Sequence, residues 1–346
     1  MTSTEQADAD TVTSLSQREY SLLDRIQHTL HRYPVISPAV VLLISGIVFA
    51  IFGEGRFQRP DTLGIILQQT AVLATLAIGQ TLIILTAGID LAVGTGMLLT
   101  HLIVAKVAAD NGVPAIPALL LGALVGVLLG AFHGLMVTRV KLPPFIVTLG
   151  TFYIFQSLGL VYSEAQTISK EAIGENSLLL WTGQGINIGS MRITTGVLLA
   201  IGLYFLFSYI LSNTAWGRHV YATGDDREAA RLAGINVNRV LLGVYMVAGL
   251  IYAIGGWVQL GRSLSASANA AADINLETIT AVVIGGTSLF GGRGRLWGTL
   301  VGALIVTVFR IGLQLAGVNA YYQNLAIGSL ILVAVGLDQW IRRVGK

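Results

Sequence analysis

The chain has 346 residues, 54% of them hydrophobic and 11% charged, with 41 glycines, a mean hydropathy of +0.73 and a formal net charge of +3. That is too apolar for a water-soluble globule of this length and fits an integral membrane protein. The small positive surplus lies in the connections between apolar runs and points to no nucleic acid, while the absence of cysteine excludes disulfides, thiolate metal sites and cysteine nucleophiles.

Residues 1–34 are polar and mixed in charge, too long and too acidic for the basic start of a cleaved signal peptide, and read as a cytoplasmic N-terminal tail. From residue 35 onward apolar runs recur at about the 20 residues that a helix needs to cross roughly 30 Å of hydrocarbon. Ten spans are predicted, at roughly 35–53, 63–86, 90–108, 115–137, 145–162, 194–212, 240–260, 276–290, 297–316 and 322–340. The expected fold class is an all-α polytopic bundle, one transmembrane domain over 35–343. Two places are candidates for broken or re-entrant helices: TAGIDLAVGTG after the second run, and the short eighth run, which ends in GGTSLFGGRGR. The fourth run carries Gly122, Gly126, Gly130 and Gly134, a stripe that lets a neighbouring helix approach closely; Gly298 and Gly302 open the ninth run in the same way.

Lys and Arg set the orientation. With both termini inside, the inner connections hold most of them, among them Arg139, Lys141, Arg218, Arg227, Arg231, Arg239, Arg293 and Arg295. The outer ones hold Arg56, Arg59, Lys106, Lys170, Arg192 and Arg262, and Arg310 falls within a span. The long polar connection 212–240 is then cytoplasmic, and 163–193 faces out.

Polar groups at membrane depth mark a pathway or an interhelical hydrogen bond. They include Gln68, Gln69, Gln80, Thr81, Thr86, Gln156, Asn269, Asn275, Glu277, Thr278, Thr280, Gln314 and Asn324. Most are amides and hydroxyls, which both donate and accept as sugar hydroxyls require, and no dense cluster is evident. Asp90, in GIDLAVG, suits a proton relay, a cation ligand or a cap on the third helix; Gly88 and Gly94 flank it as turn residues and favour the cap. His101 and His133 have no second ligand at metal spacing, so core histidines are expected and no metal.

The segment GDDREAARLAGI within 212–240 reads as a short capped helix. Asp225 and Asp226 stand at its start to accept from free amides, Gly234 suits a left-handed C-terminal cap, and Arg227 and Arg231 share a face. Ala229, Ala230 and Ala233 offer a small smooth surface for another protein; the alternative is a solvated loop helix that touches nothing. No lysine lies in a G-x-x-x-x-G-K-[ST] loop, and no H-E-x-x-H or G-x-S-x-G is present, so neither ATP hydrolysis nor other catalysis is expected of this chain.

The run AWGRHVYATGDDREAARLAGINVNR, then ITAVVIGGTSLFGGRGRLWGTLVGALI, with TLIILTAGIDLAVGTGM and KLPPFIVTLGT, resembles the permease subunit of bacterial ATP-binding-cassette importers for monosaccharides, the ribose, xylose and fructose branch. ATGDDREAARLAG and DQWIRR are most similar to the fructose-type members. The resemblance covers about residues 35 to 343. It implies an inner-membrane importer of two paired permease chains, two ATPase subunits that bind ATP and Mg, and a periplasmic sugar-binding protein, with no cofactor on this chain. The docking role falls on Gly224, Asp225, Asp226, Glu228, Ala229, Ala230, Arg231, Leu232, Ala233 and Gly234, and Gln80, Thr81, Asp90, Thr280 and Phe290 are candidates for the pathway. Two other classes stay open: an ion-coupled secondary transporter using Asp90 and Glu277, and a structural or regulatory subunit that moves nothing.

Overall fold

A computed structural model describes residues 36–53, 55–173, 178–270, 273–319 and 321–329, with Leu332 and Gly336 as isolated positions. The expected tail 1–34 and most of the tenth span, 322–340, lie outside the described residues. Among those described, the main helices are α1 (Ile36–Phe52), α2 (Pro60–Leu85), α3 (Val93–Asn111), α4 (Ala115–Leu135), α5 (Pro144–Ser163), α6 (Thr195–Asn213), α7 (Ala215–Asp225), α8 (Arg227–Leu232), α9 (Val237–Ser263), α10 (Ile274–Ile284) and α11 (Leu296–Leu315). Seven of them are long and apolar enough to cross a membrane: α2, α3, α4 with its continuation to Val140, α5, α6, α9 and α11. The all-α class holds. The segment expected as the eighth span is only 11 residues of helix, which at 1.5 Å per residue covers about half of the hydrocarbon layer.

Helix α2 is the hub. Pro60 stands in its first turn, where no amide is needed, and Asp61 meets the positive end of its dipole. It is mostly apolar, and Ile78, Leu82, Ile83, Ile84 and Leu85 have no exposed surface, because α6, α9, α10 and α11 pack around it. The glycine stripe of α4 is where α4 meets α9: a side chain at Gly126 would strike the Gly249 carbonyl, one at Gly130 the Tyr245 backbone, and one at Gly134 Leu242. Backbone-to-backbone approach of this kind gives dispersion its full reach between helices in lipid. Gly298 and Gly302 do the same for α11 against the Gly285 and Ala281 backbone of α10. The outward faces of α4, α5 and α6 are covered with Leu120, Leu124, Ile146, Leu158, Leu198 and Phe205.

The connection 163–193, expected to face out, carries strands. β1 (Ile168–Ser169) pairs antiparallel with β4 (Ser265–Ala266), and β2 (Gly185–Ile188) with β3 (Met191–Thr194), turning at Gly189 with φ +63°. This hairpin lies over the start of α2, where Gln68 donates to the Arg192 carbonyl at 3.3 Å, and the segment before it lies against the last turns of α9, where the Trp257 indole donates to the Leu178 and Leu179 carbonyls at 3.1 Å. One end of the bundle therefore carries the hairpin and the other carries α7 and α8.

Candidate functional site

The polar 212–240 connection forms two helices, not one. Thr214 Oγ1 accepts from the Gly217 amide (3.1 Å) and starts α7. Asp225 closes α7, and Asp226, extended at φ −151°, ψ 112°, breaks the chain and caps α8 by accepting from the Glu228 (2.8 Å) and Ala229 (3.0 Å) amides. Gly234, at φ +83°, supplies the left-handed turn that ends it. Asp226 alone is therefore the cap. Glu228 and Arg231 pair at 2.7 Å on the exposed face, where screening leaves such a pair little energy.

The alanine surface needs correction. Ala229, Ala233 and Arg231 face outward and Leu232 is 90% exposed, but Ala230 is only 4% exposed and belongs to the core. A six-residue helix buries one side of its turn against the bundle, and Ala230 falls on that side. The surface available to a partner is Ala229, Leu232 and Ala233.

On its inner side this element grips two parts of the bundle. Arg227 donates to the Thr86 carbonyl at the end of α2 (3.1 Å). The Gly292 amide donates to the Leu85 carbonyl at 2.9 Å, and Gly224 lies against both, so that a side chain at Gly224 would overlap the Leu85 carbonyl and the Gly292 nitrogen. Gly291 and Gly292 hold φ +85° and +69°, which is why the sequence reads FGG there. Tyr221 donates to the Gly294 carbonyl at 2.9 Å; burial pushes its phenol above the ordinary tyrosine value, opposed by the nearby charge of Arg295. α7 and α8 thus hold the end of α2 and the 285–295 loop that joins α10 to α11.

Of the pathway candidates, Phe290 lies in that loop and is 71% exposed. Gln80 and Thr81 are buried in α2. Thr81 Oγ1 lies 3.0 Å from Thr299 Oγ1 of α11, and neither polar side-chain atom of Gln80 has a hydrogen-bond partner among the described residues. An unpaired buried amide costs on the order of 1–3 kcal/mol. Thr280 donates to the Leu276 carbonyl within α10. Asp90 is apart from these: its Oδ1 accepts from the Ala92 amide (2.7 Å), its Oδ2 accepts from the Tyr252 hydroxyl (3.1 Å), and His133 Nδ1 lies 3.7 Å away. His133 also lies 2.7 Å from Thr151 Oγ1 through Nε2. The aspartate fastens the start of α3 to α9 and α4, while α3 itself has no side-chain cap. Among the described residues no cluster suited to a metal ion occurs.

A dense polar cluster does exist, and the sequence did not reveal it. A cavity of about 320 Å³ opens between α2, α9, α10 and α11. Its polar lining is Gln69, Gln259, Arg262, Asn269, Thr307, the Glu277–Arg310 ion pair and Asp273, which lies 4.0 Å from Arg310. None of the five pathway candidates lines it. Gln69, Asn269 and Glu277 stood among the polar groups at membrane depth, and Arg310 was visible as a charge within a span. Gln259 and Arg262 gave no signal beyond their spacing of one helical turn.

Seven helices long and apolar enough to cross a membrane define a multi-pass membrane protein. Residues 62–335 match the family described as the permease component of the branched-chain amino acid transport system, and the chain belongs to this family. It is 46% identical over 340 residues to the fructose import permease protein of Rhizobium meliloti, covering 98% of this chain and 94% of that one. It is 38% identical over 304 residues to the ribose import permease protein of Bacillus subtilis, covering 88% and 92%. To the galactose/methyl galactoside import permease protein of Haemophilus influenzae it is 32% identical over 310 residues, covering 86% and 92%. No solved structure matches the chain.

Proposed function

We propose that this chain is the transmembrane subunit of an ATP-binding-cassette importer that carries a monosaccharide, of the fructose or ribose kind, from the periplasm to the cytoplasm. The near full-length likeness to permeases named for fructose and ribose import carries this reading. The chain works in the bacterial inner membrane as one of two paired copies, with lipid against α4, α5 and α6, both termini in the cytoplasm and a periplasmic binding protein at the hairpin end. ATP and Mg belong to the separate ATPase, which meets this chain at α8 through Ala229, Leu232 and Ala233. Closure of the two ATPases displaces α8. Because α7 and α8 hold both the Leu85–Thr86 end of α2 and the Gly291–Gly294 loop, that displacement moves α2, α10 and α11 as a unit and alternates access along a path bordered by Gln80, Thr81 and Thr280.

The test is uptake in vesicles. Reconstituted with its ATPase and sugar-loaded binding protein, the chain takes up labelled fructose or ribose only when ATP is supplied on the α8 side. Uptake that persists without the ATPase under a proton or sodium gradient would overturn the reading in favour of ion coupling. Because the chain has no cysteine, Leu232→Cys gives one thiol for labelling from either side, and reaction from the periplasmic side alone would remove the cytoplasmic docking role.

A further inference from the structure

The cavity between α2, α9, α10 and α11 lies on the hairpin half of the bundle. Its lining in α2 is Gln69, Val72 and Leu73, in the first half of a helix that starts under the hairpin, and in α11 it is Val306, Thr307 and Arg310, in the second half of a helix that runs back towards it. The exposed Asn269 and Asp273 border its mouth. At about 320 Å³ it falls at the small end of the roughly 300–1,000 Å³ typical of ligand sites. Such a volume suits a single sugar ring.

Its chemistry is balanced. Arg310 pairs with Glu277 and lies 4.0 Å from Asp273, and Arg262 and the amides of Gln69, Gln259 and Asn269 line the same space. Arg262 Nε donates to Gln259 Oε1 at 3.3 Å, whereas the side-chain amides of Gln69 and Asn269 make no hydrogen bond among the described residues. Free amides beside a paired carboxylate and guanidinium present donors and acceptors in alternation with no surplus charge, which fits an uncharged polyol and disfavours a sugar phosphate.

The cavity also points along a path. Gln80 follows Gln69 by eleven positions, and Thr299 precedes Arg310 by eleven. At 3.6 residues per turn each pair shares one face of its helix, so the cavity-lining faces of α2 and α11 continue about 16 Å deeper to Gln80 and Thr299. There Thr81 and Thr299 close the two helices together, and the Gln80 amide waits buried without a partner.

We infer that this cavity is the station where an uncharged monosaccharide rests within the membrane, hydrogen-bonded by Gln69, Asn269 and the Glu277–Arg310 pair, and that Gln80 becomes its next partner when the Thr81–Thr299 contact opens. The inference rests on the sugar-importer reading above and adds the place where the solute rests and the residues that hold it. It makes this chain a second checkpoint for polyols, after the binding protein.

The experiment uses the whole transporter, with its ATPase and binding protein, in proteoliposomes, reading sugar uptake and binding-protein-stimulated ATP hydrolysis together. Two variants probe the cavity: the double substitution Gln69→Leu with Asn269→Leu, which removes the free amides, and Ala270→Trp, which fills the mouth from an exposed position. Each is expected to lower uptake about tenfold, the size of one or two lost hydrogen bonds, while ATP hydrolysis stays within about twofold. Gln314→Leu, on α11 but outside the cavity, leaves both unchanged. Uptake within twofold of the unaltered transporter in both cavity variants overturns the station. So does a parallel fall of uptake and hydrolysis, which places the defect in coupling. If the unaltered assembly moves no sugar at all, the importer reading fails instead, and the two failures are told apart by that control.

Discussion

At the end that carries α8 the protein brings backbone against backbone: Gly224, Gly292 and the Leu85 carbonyl meet with no side chain between them. At the hairpin end the same helices, α2, α10 and α11, stand apart around a polar cavity. The contrast separates two tasks on one set of helices. Close-packed contacts without rotatable side chains pass a displacement on undiminished, because there is no soft volume to absorb it. A space lined by long amides and an ion pair can instead take in a solute and give it up.

The sharpest way to break this contrast is to put a side chain where backbone meets backbone. Gly224→Val drives a branched side chain into the Leu85 carbonyl, and overpacking of this kind costs about 1–3 kcal/mol. Its greater effect is on coupling: α8 is levered away from α2, and ATP-driven uptake falls more than tenfold, a loss of order 1.4 kcal/mol or more in the driven step. Gly150→Val is the control, since Gly150 has open space around it and should leave both thermal midpoint and uptake as they were. Equal behaviour of the two variants would show that the α8 end is no rigid joint.

A second comparison lies within α8 itself. Ala230→Glu buries a carboxylate against the core without a partner, which costs several kcal/mol or unfolds the turn, and is read as a lowered melting temperature in detergent. Leu232→Glu changes an almost fully exposed side chain and should leave the melting temperature unmoved while the ATPase no longer co-purifies. Retention of the ATPase by the Leu232 variant would place the docking surface elsewhere.

What the sequence disclosed was local. Asp226 and Gly234 were legible because a cap and a left-handed turn depend on residues within one helical turn. The stripe on α4 was legible because period four lays glycines on one face; the eighth run, counted as a span, carried in GGTSLFGGRGR only a sign that it could be broken or re-entrant, and not that its helix is 11 residues long. The hairpin at Gly185–Thr194 has a local signal in GINIGSMRIT, a Gly-Ser turn between two short alternating runs, which a reading of 163–193 only as an outward connection misses. The cavity was out of reach for a different reason. It depends on which faces of four helices converge, and the partners Glu277 and Arg310, or Asp90 and His133, lie too far apart in the chain for spacing to pair them. An aspartate and a histidine read separately as a cap and a core residue lie 3.7 Å apart in the fold, Asp90 held by the Tyr252 hydroxyl and His133 by Thr151.

The smallest effect tests whether α8 needs its own ends. Six residues are too few to hold a helix in water, since nucleation fixes several residues for one hydrogen bond, so α8 depends on Asp226 at one end, Gly234 at the other and Arg227 binding the Thr86 carbonyl beneath. Removing the cap with Asp226→Ala costs about 1 kcal/mol, and Asp226→Asn, which keeps an accepting oxygen, much less. Hydrogen exchange in the assembled transporter should therefore quicken about fivefold at the Glu228 and Ala229 amides in the Ala variant and stay near its original rate in the Asn variant. Uptake should follow the same order. Protection unchanged in Asp226→Ala would mean that Arg227 and the ATPase order this helix by themselves, and the lever would then be shaped by its partner instead of by its own sequence.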